Sequence, residues 1–80
     1  MSDTPKKRSI TLNGHRTSIS IEDAFWISLG EIAAEKKLSI SQLVEKIDHG
    51  RNNAGLSSSL RLYVLQDRNN KISELALKRR

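Results

Sequence analysis

The chain carries the stretch RSITLNGHRTSISI from Arg8 to Ile21. Apolar and polar residues alternate on both sides of the dipeptide Asn13-Gly14. Alternation with a period of two is typical of a strand with one buried face, and Asn-Gly between two such runs is the strongest short-range signal for a type I′ turn. The sequence therefore predicts a β-hairpin over residues 8–21.

The predicted hairpin has two chemically different faces, because side chains at alternate positions of a strand share a face. With Asn13 and Gly14 in the turn, the apolar face collects Ile10, Leu12, Thr17, Ile19 and Ile21. The other face collects Ser9, Thr11, Arg16, Ser18 and Ser20. This polar face is either a solvated sheet surface or a binding surface, and the alternation alone does not choose between the two.

Beyond the hairpin, the apolar residues follow the spacing of amphipathic helices. Three helices are predicted, over residues 22–36, 40–49 and 57–68. The second has the clearest start, because Ser39 at the N-cap and Gln42 three residues later form a capping box. Together with the hairpin, these helices give an α+β fold that is mainly helical.

One glycine interrupts the first predicted helix. Gly30 costs about 1 kcal/mol relative to alanine in a helix interior. Either another helix approaches closely at this position or the glycine is neutral, and the sequence leaves both explanations open.

The composition indicates one small, basic domain. The 80 residues include 14 Lys and Arg against 9 Asp and Glu, a net charge of +5, which favours a polyanionic partner. We expect residues 1–7 to be a disordered basic arm, residues 8–68 the domain and residues 69–80 a basic tail. A chain this short buries only about 60 to 65% of its unfolded surface, so a second subunit is expected to complete the core.

Several classes of protein are not expected. The longest apolar runs have four residues, far fewer than the ~20 that span a bilayer. The chain has no cysteine, and its polar start leads into no apolar signal segment, so a cytoplasmic location is expected. His15 and His49 stand alone, and Glu22 and Asp23 suit the first turn of a helix better than an acid–base pair. We expect neither an enzyme nor a metal or other cofactor.

The segment from Arg16 to Ile21, the helix after it and the stretch KLSISQL at residues 37–43 together resemble the ribbon-helix-helix repressors. The resemblance covers residues 16–47. In that family one strand from each subunit pairs across a two-fold axis, and the resulting ribbon enters the major groove of DNA. The resemblance implies an intertwined homodimer that regulates transcription, as a repressor, by binding double-stranded DNA at specific sequences.

The resemblance also implies which residues contact DNA. Arg16, Ser18 and Ser20 would read base edges, because Arg can donate two hydrogen bonds to guanine O6 and N7 and a serine hydroxyl can bond to several bases. The start of the second helix would hold a phosphate through its free N–H groups. The residues of this start are Ser39, Ile40 and Ser41.

Two features leave alternatives open. In a dimer the extra strand would give a four-stranded sheet about 14 Å wide, whereas the major groove is about 12 Å wide. Either residues 8–12 peel away as an arm that places Lys6, Lys7 and Arg8 on the phosphates, or the chain is a protein-interaction module or an antitoxin with a protein partner. The stretch LSSSLR, which contains Ser57, also resembles the second-helix start, so that Ser57 is an alternative phosphate anchor.

Overall fold

A computed structural model describes residues 4–50 and 55–78 of the chain. It contains a two-stranded antiparallel sheet followed by three helices. The elements are β1 Lys6–Leu12, β2 His15–Ile21, α1 Asp23–Glu35, α2 Ile40–Gly50 and α3 Leu56–Lys78. The predicted α+β, mainly helical class is confirmed. No helix in the described part of the chain has the length and apolar composition needed to cross a membrane.

The hairpin has the predicted turn and register. Asn13 and Gly14 have φ of +52° and +81°, the positive values that a type I′ turn requires at both positions. β1 and β2 pair at seven positions, starting from Leu12 with His15 beside the turn. β1 is paired over its whole length, so the alternative in which residues 8–12 leave the sheet as an arm is not the arrangement observed.

Two element boundaries differ from the expected ones. β1 begins at Lys6, inside the segment expected to be disordered, because Lys6 and Arg8 both bond to Asp23 and hold this end of the strand. α3 runs to Lys78, ten residues beyond its expected end. Two ion pairs with α1 hold this extension, Arg68 with Glu31 and Lys71 with Glu35. The division into arm, domain and tail stays a prediction, and its residues 1–3, 79 and 80 lie outside the described residues.

The core lies between the hairpin and the helices, and all five elements contribute to it. Its buried apolar side chains are Ile10, Ile19, Ile21, Leu29, Ile32, Ala33, Leu43, Val44, Leu60 and Val64. None of them is more than 6% exposed within the single chain. The second subunit expected to complete the core stays a prediction. Thr17, expected on the core face, is exposed. α2 packs against β1 and α3 against the far end of β2, and among the described residues Arg16, Thr17 and Ser18, towards the turn end of β2, are exposed.

Local signals set two of the helix ends. Ser39 Oγ accepts the N–H of Gln42 at 3.1 Å and Gln42 Oε1 accepts the N–H of Ser39 at 2.8 Å, which is the predicted capping box. α1 ends where Lys37 takes a left-handed φ of +59°. The N–H of Leu38 then bonds back to the carbonyl of Ala33 at 2.8 Å, as in a helix C-cap motif.

The structure bears on two helix positions that the sequence left open. Ser57 does not cap α3, because the helix begins at Leu56 and the carbonyl of Gly55 accepts the N–H of Ser59 at 3.0 Å. A methyl group at Gly30 would meet no neighbouring atom within 4 Å, so among the described residues no helix approaches closely there.

Candidate nucleic-acid interface

One face of the hairpin is polar and exposed, whereas the other face is largely buried against the helices. We call it the polar face, and it consists of Lys7, Ser9 and Thr11 from β1 and Arg16, Ser18 and Ser20 from β2. These six residues are directly opposite one another in three cross-strand pairs. Two of them are basic and none is acidic, so the surface attracts anions.

Arg16 lies on the polar face near the hairpin turn, paired across the strands with Thr11. Its Nη2 donates a hydrogen bond to Ser9 Oγ at 3.1 Å. A guanidinium has five N–H donors, so this bond orients the group and still leaves donors for a ligand. Ser18 and Ser20 follow on the same strand, and their side chains are exposed. The structure therefore brings the three predicted base-reading residues together on one surface.

Lys6 and Arg8 lie on the opposite face of the hairpin. Lys6 Nζ is 3.1 Å from Asp23 Oδ2, and an Arg8 Nη2 hydrogen bond joins the same carboxylate. Arg8 also lies over the ring of Trp26, 5.1 Å from its centroid, and only 17% of its side chain is exposed. The hydrogen bonds from Arg8 and then Lys6 lower the pKa of Asp23. These two basic residues therefore join the hairpin to α1 and do not extend the polar face.

The carboxylates at the start of α1 are all engaged in ion pairs. Glu22 accepts two hydrogen bonds from Arg61, at 2.8 and 3.1 Å, and these bonds lower its pKa. Asp23 is held by Lys6 and Arg8. Both groups are therefore stabilised as anions, unlike a carboxylate that serves as a general acid. Within residues 4–50 and 55–78, His, Asp and Glu side chains do not gather in a group of three that could hold a metal ion.

The start of α2 is the predicted phosphate anchor. Glu45 Oε1 accepts the backbone N–H of Asn13 at 2.9 Å, which ties α2 to the hairpin turn. Ser39 precedes Glu45 by six residues, about 9 Å along a helix axis. The hydroxyl of Ser39 is engaged in the capping box. The N–H groups of the first turn, at Ile40 and Ser41, have no partner within the helix, as is general for a helix start.

Ser57, the alternative phosphate anchor, contacts the edge of β2. Its hydroxyl donates to the carbonyl of Ser20 at 2.8 Å. Ser20 does not serve as a helix cap either, because α1 has Glu22 at its N-cap and no side-chain cap. The sequence offered no signal for the Ser57–Ser20 contact, which joins residues 37 positions apart.

Sequence reasoning also missed that Lys7 belongs to the polar face. We had placed it in the arm before the hairpin. Extending the predicted register by one residue pairs Lys7 with Ser20, so the same pairing rule could have found it.

Comparison with known proteins connects the chain to a family. A family model described as "Ribbon-helix-helix domain" matches residues 5–67, which include the hairpin, α1, α2 and the first half of α3. No curated protein and no solved structure matches the chain.

Proposed function

The chain belongs to the ribbon-helix-helix family, and we propose that it is a sequence-specific DNA-binding regulator of transcription that acts as a homodimeric repressor. The family consists of regulatory domains that generally bind DNA and dimerise, not of enzymes. The observation that carries the proposal is the polar face, which presents Lys7 and Arg16 to solvent without a neighbouring carboxylate on that face.

Base reading is assigned to β2. Arg16 donates two hydrogen bonds to guanine O6 and N7, the commonest specific contact in the major groove. Ser18 and Ser20, spaced two residues apart on the same face, hydrogen-bond to neighbouring base edges through their hydroxyls. Their exposure and the hydrogen bond that orients Arg16 support this assignment.

Phosphate binding is assigned to Lys7 and to the N-terminus of α2. Lys7 lies at the end of the polar face farthest from the hairpin turn, opposite Ser20. The free N–H groups at Ile40 and Ser41 and the positive end of the helix dipole suit an anion beside Ser39. Lys6 and Arg8 act indirectly, by fixing the hairpin on α1 through Asp23.

The test of this function is the substitution Arg16→Ala. We expect a loss of about 1 to 3 kcal/mol in binding free energy on the preferred site and a relaxed preference at one base pair. Duplexes selected from a random pool identify the site, and titrations at several salt concentrations give the affinity. Thr17→Ala is the control, because Thr17 is exposed on the same strand but pairs with the buried Ile10, on the opposite face of the hairpin.

The parent affinity should fall steeply with salt because bound counterions are released from the DNA. If Arg16→Ala binds every duplex as the parent does, the assignment of base reading to the polar face is wrong.

A protein-interaction module, such as an antitoxin, is the second candidate. It is favoured by the large apolar side chains that α3 leaves at least half exposed, Leu62, Leu65, Ile72 and Leu75. A parent protein whose weak DNA affinity does not depend on salt, and which binds a protein encoded beside it, would support this function over DNA binding.

A further inference from the structure

We propose that Glu45 is a positioning residue for base reading. Its carboxylate holds the hairpin turn on α2, and it thereby fixes Arg16 relative to the phosphate anchor at the start of the same helix. The inference rests on the proposed DNA-binding function. It adds a residue that touches no base and determines how accurately Arg16 meets one.

The core holds the turn end of the hairpin less firmly than the rest. We call residues 11–18 the hairpin tip, because the buried residues nearest the turn are Ile10 on β1 and Ile19 on β2. Within the tip every residue is exposed except Leu12, which is half buried and packs against the core. Arg16 is one of the exposed residues, so the core alone fixes its position weakly.

Polar contacts hold the two ends of the hairpin on different helices. The end far from the turn is joined to α1 by ion pairs and to α3 by the hydrogen bond from Ser57 to the carbonyl of Ser20. The tip is joined to α2, because Glu45 Oε1 accepts the backbone N–H of Asn13 at 2.9 Å. The position of Arg16 therefore depends on a contact that the other end of the hairpin does not supply.

The contact between Glu45 and Asn13 does not compete with the pairing of the strands. Asn13 is the first turn residue, and the ladder beside a two-residue turn joins the flanking residues, Leu12 and His15. The N–H of Asn13 is thus available to an outside acceptor, and an ionised carboxylate makes a stronger bond than a neutral oxygen.

The helix that holds the turn is also the helix that offers the phosphate anchor. Glu45 follows Ile40, the first residue of α2, by five residues, about 7.5 Å along a helix axis. A helix is rigid over this length. The bond to Asn13 therefore sets the spacing between the base contact of Arg16 and the phosphate contact at the start of α2.

A contact of this kind acts on DNA binding by holding the tip in place before DNA arrives. Without it, binding has to order the tip, and the free energy spent on ordering is lost from the affinity. The loss applies to sites at which Arg16 reads a base. Contacts to phosphates carry no sequence information directly, so binding to unrelated duplexes should change little.

The experiment compares Glu45→Ala, which removes the acceptor, with Glu45→Gln, which keeps a side-chain oxygen and removes the charge. Glu74→Ala is the control for the loss of an acidic charge, because Glu74 is exposed in the last two turns of α3. One measurement is the ratio of the affinity for the selected consensus to that for an unrelated duplex, at one salt concentration. The other is hydrogen exchange of the Asn13 amide in the free protein.

We expect Glu45→Ala to speed up exchange of the Asn13 amide and to lower the affinity ratio about two- to tenfold, the range for one hydrogen bond. Glu45→Gln should restore most of both, because the amide oxygen still accepts the bond. Glu74→Ala should leave the ratio unchanged. In an Arg16→Ala background, Glu45→Ala should lower the ratio no further, because its effect acts through Arg16.

Three results would overturn the positioning role. They are a parent ratio in Glu45→Ala, an equal loss in Glu45→Gln, and a full loss from Glu45→Ala in the absence of Arg16. In each case a relaxed base preference in Arg16→Ala alone would still support the proposed function. If Arg16→Ala itself behaves as the parent, the proposed function fails and the positioning role fails with it.

Discussion

Lys6 and Lys7 are neighbours in the chain, yet their side chains lie on opposite faces of the hairpin. Lys7 pairs with Ser20 on the exposed polar face, whereas Lys6 pairs with the buried Ile21 and bonds to Asp23. A cation already matched by a carboxylate releases few additional counterions when DNA approaches. The two lysines therefore differ in what they contribute to DNA affinity, although the sequence alone treats them alike.

We predict that Lys7→Ala weakens binding to all duplexes alike and reduces the slope of log affinity against log salt by about 1, because one phosphate contact is lost. Lys6→Ala, the matched control one residue away, should leave the slope unchanged. Titrations on one specific and one unrelated duplex at several salt concentrations give both slopes. Equal losses of slope in the two variants would contradict the separation of faces.

At the scale of the element, no contact within the described residues explains why position 30 is a glycine. It lies inside α1, and added atoms there would meet open space. We predict that Gly30→Ala raises the free energy of unfolding by about 0.5 to 1 kcal/mol, because alanine loses less backbone entropy in a helix. Urea denaturation measures the change. A destabilised variant would mean that the space beside Gly30 is filled in solution, by a second subunit for example.

Elements whose signals are local were predicted best. The hairpin turn and the start of α2 follow from Asn-Gly and from the capping box, and both were found at the predicted residues. The length of α3 was not predicted, because Ile72 and Leu75 in its last turns stay exposed and the ion pairs with α1 near these turns depend on the tertiary fold. The edge contact of Ser57 with Ser20 likewise depends on the tertiary fold.

At the scale of the whole molecule, α3 offers a surface for the proposed homodimer. Leu62, Leu65, Asn69 and Ile72 are exposed on α3 and recur at intervals of three and four residues. This is the spacing of a coiled-coil seam, in which a polar Asn can set the register of two parallel helices. The basic residues beside the seam are already paired within the chain, Arg61 with Glu22 and Arg68 with Glu31, so two copies can approach without unpaired like charges.

We predict that the parent protein sediments at about twice the 9.0 kDa chain mass and that Ile72→Lys sediments as a monomer. A lysine in the seam would place a charge between the two helices, where it has no partner. Leu75→Lys is the matched control, because Leu75 is similarly exposed, at 59% against 64%, but falls outside the heptad positions that Leu62, Leu65, Asn69 and Ile72 occupy. It should remain a dimer. A parent that stays monomeric at high micromolar concentration would contradict the homodimer, whereas dimers in all three proteins would place the interface elsewhere than on α3.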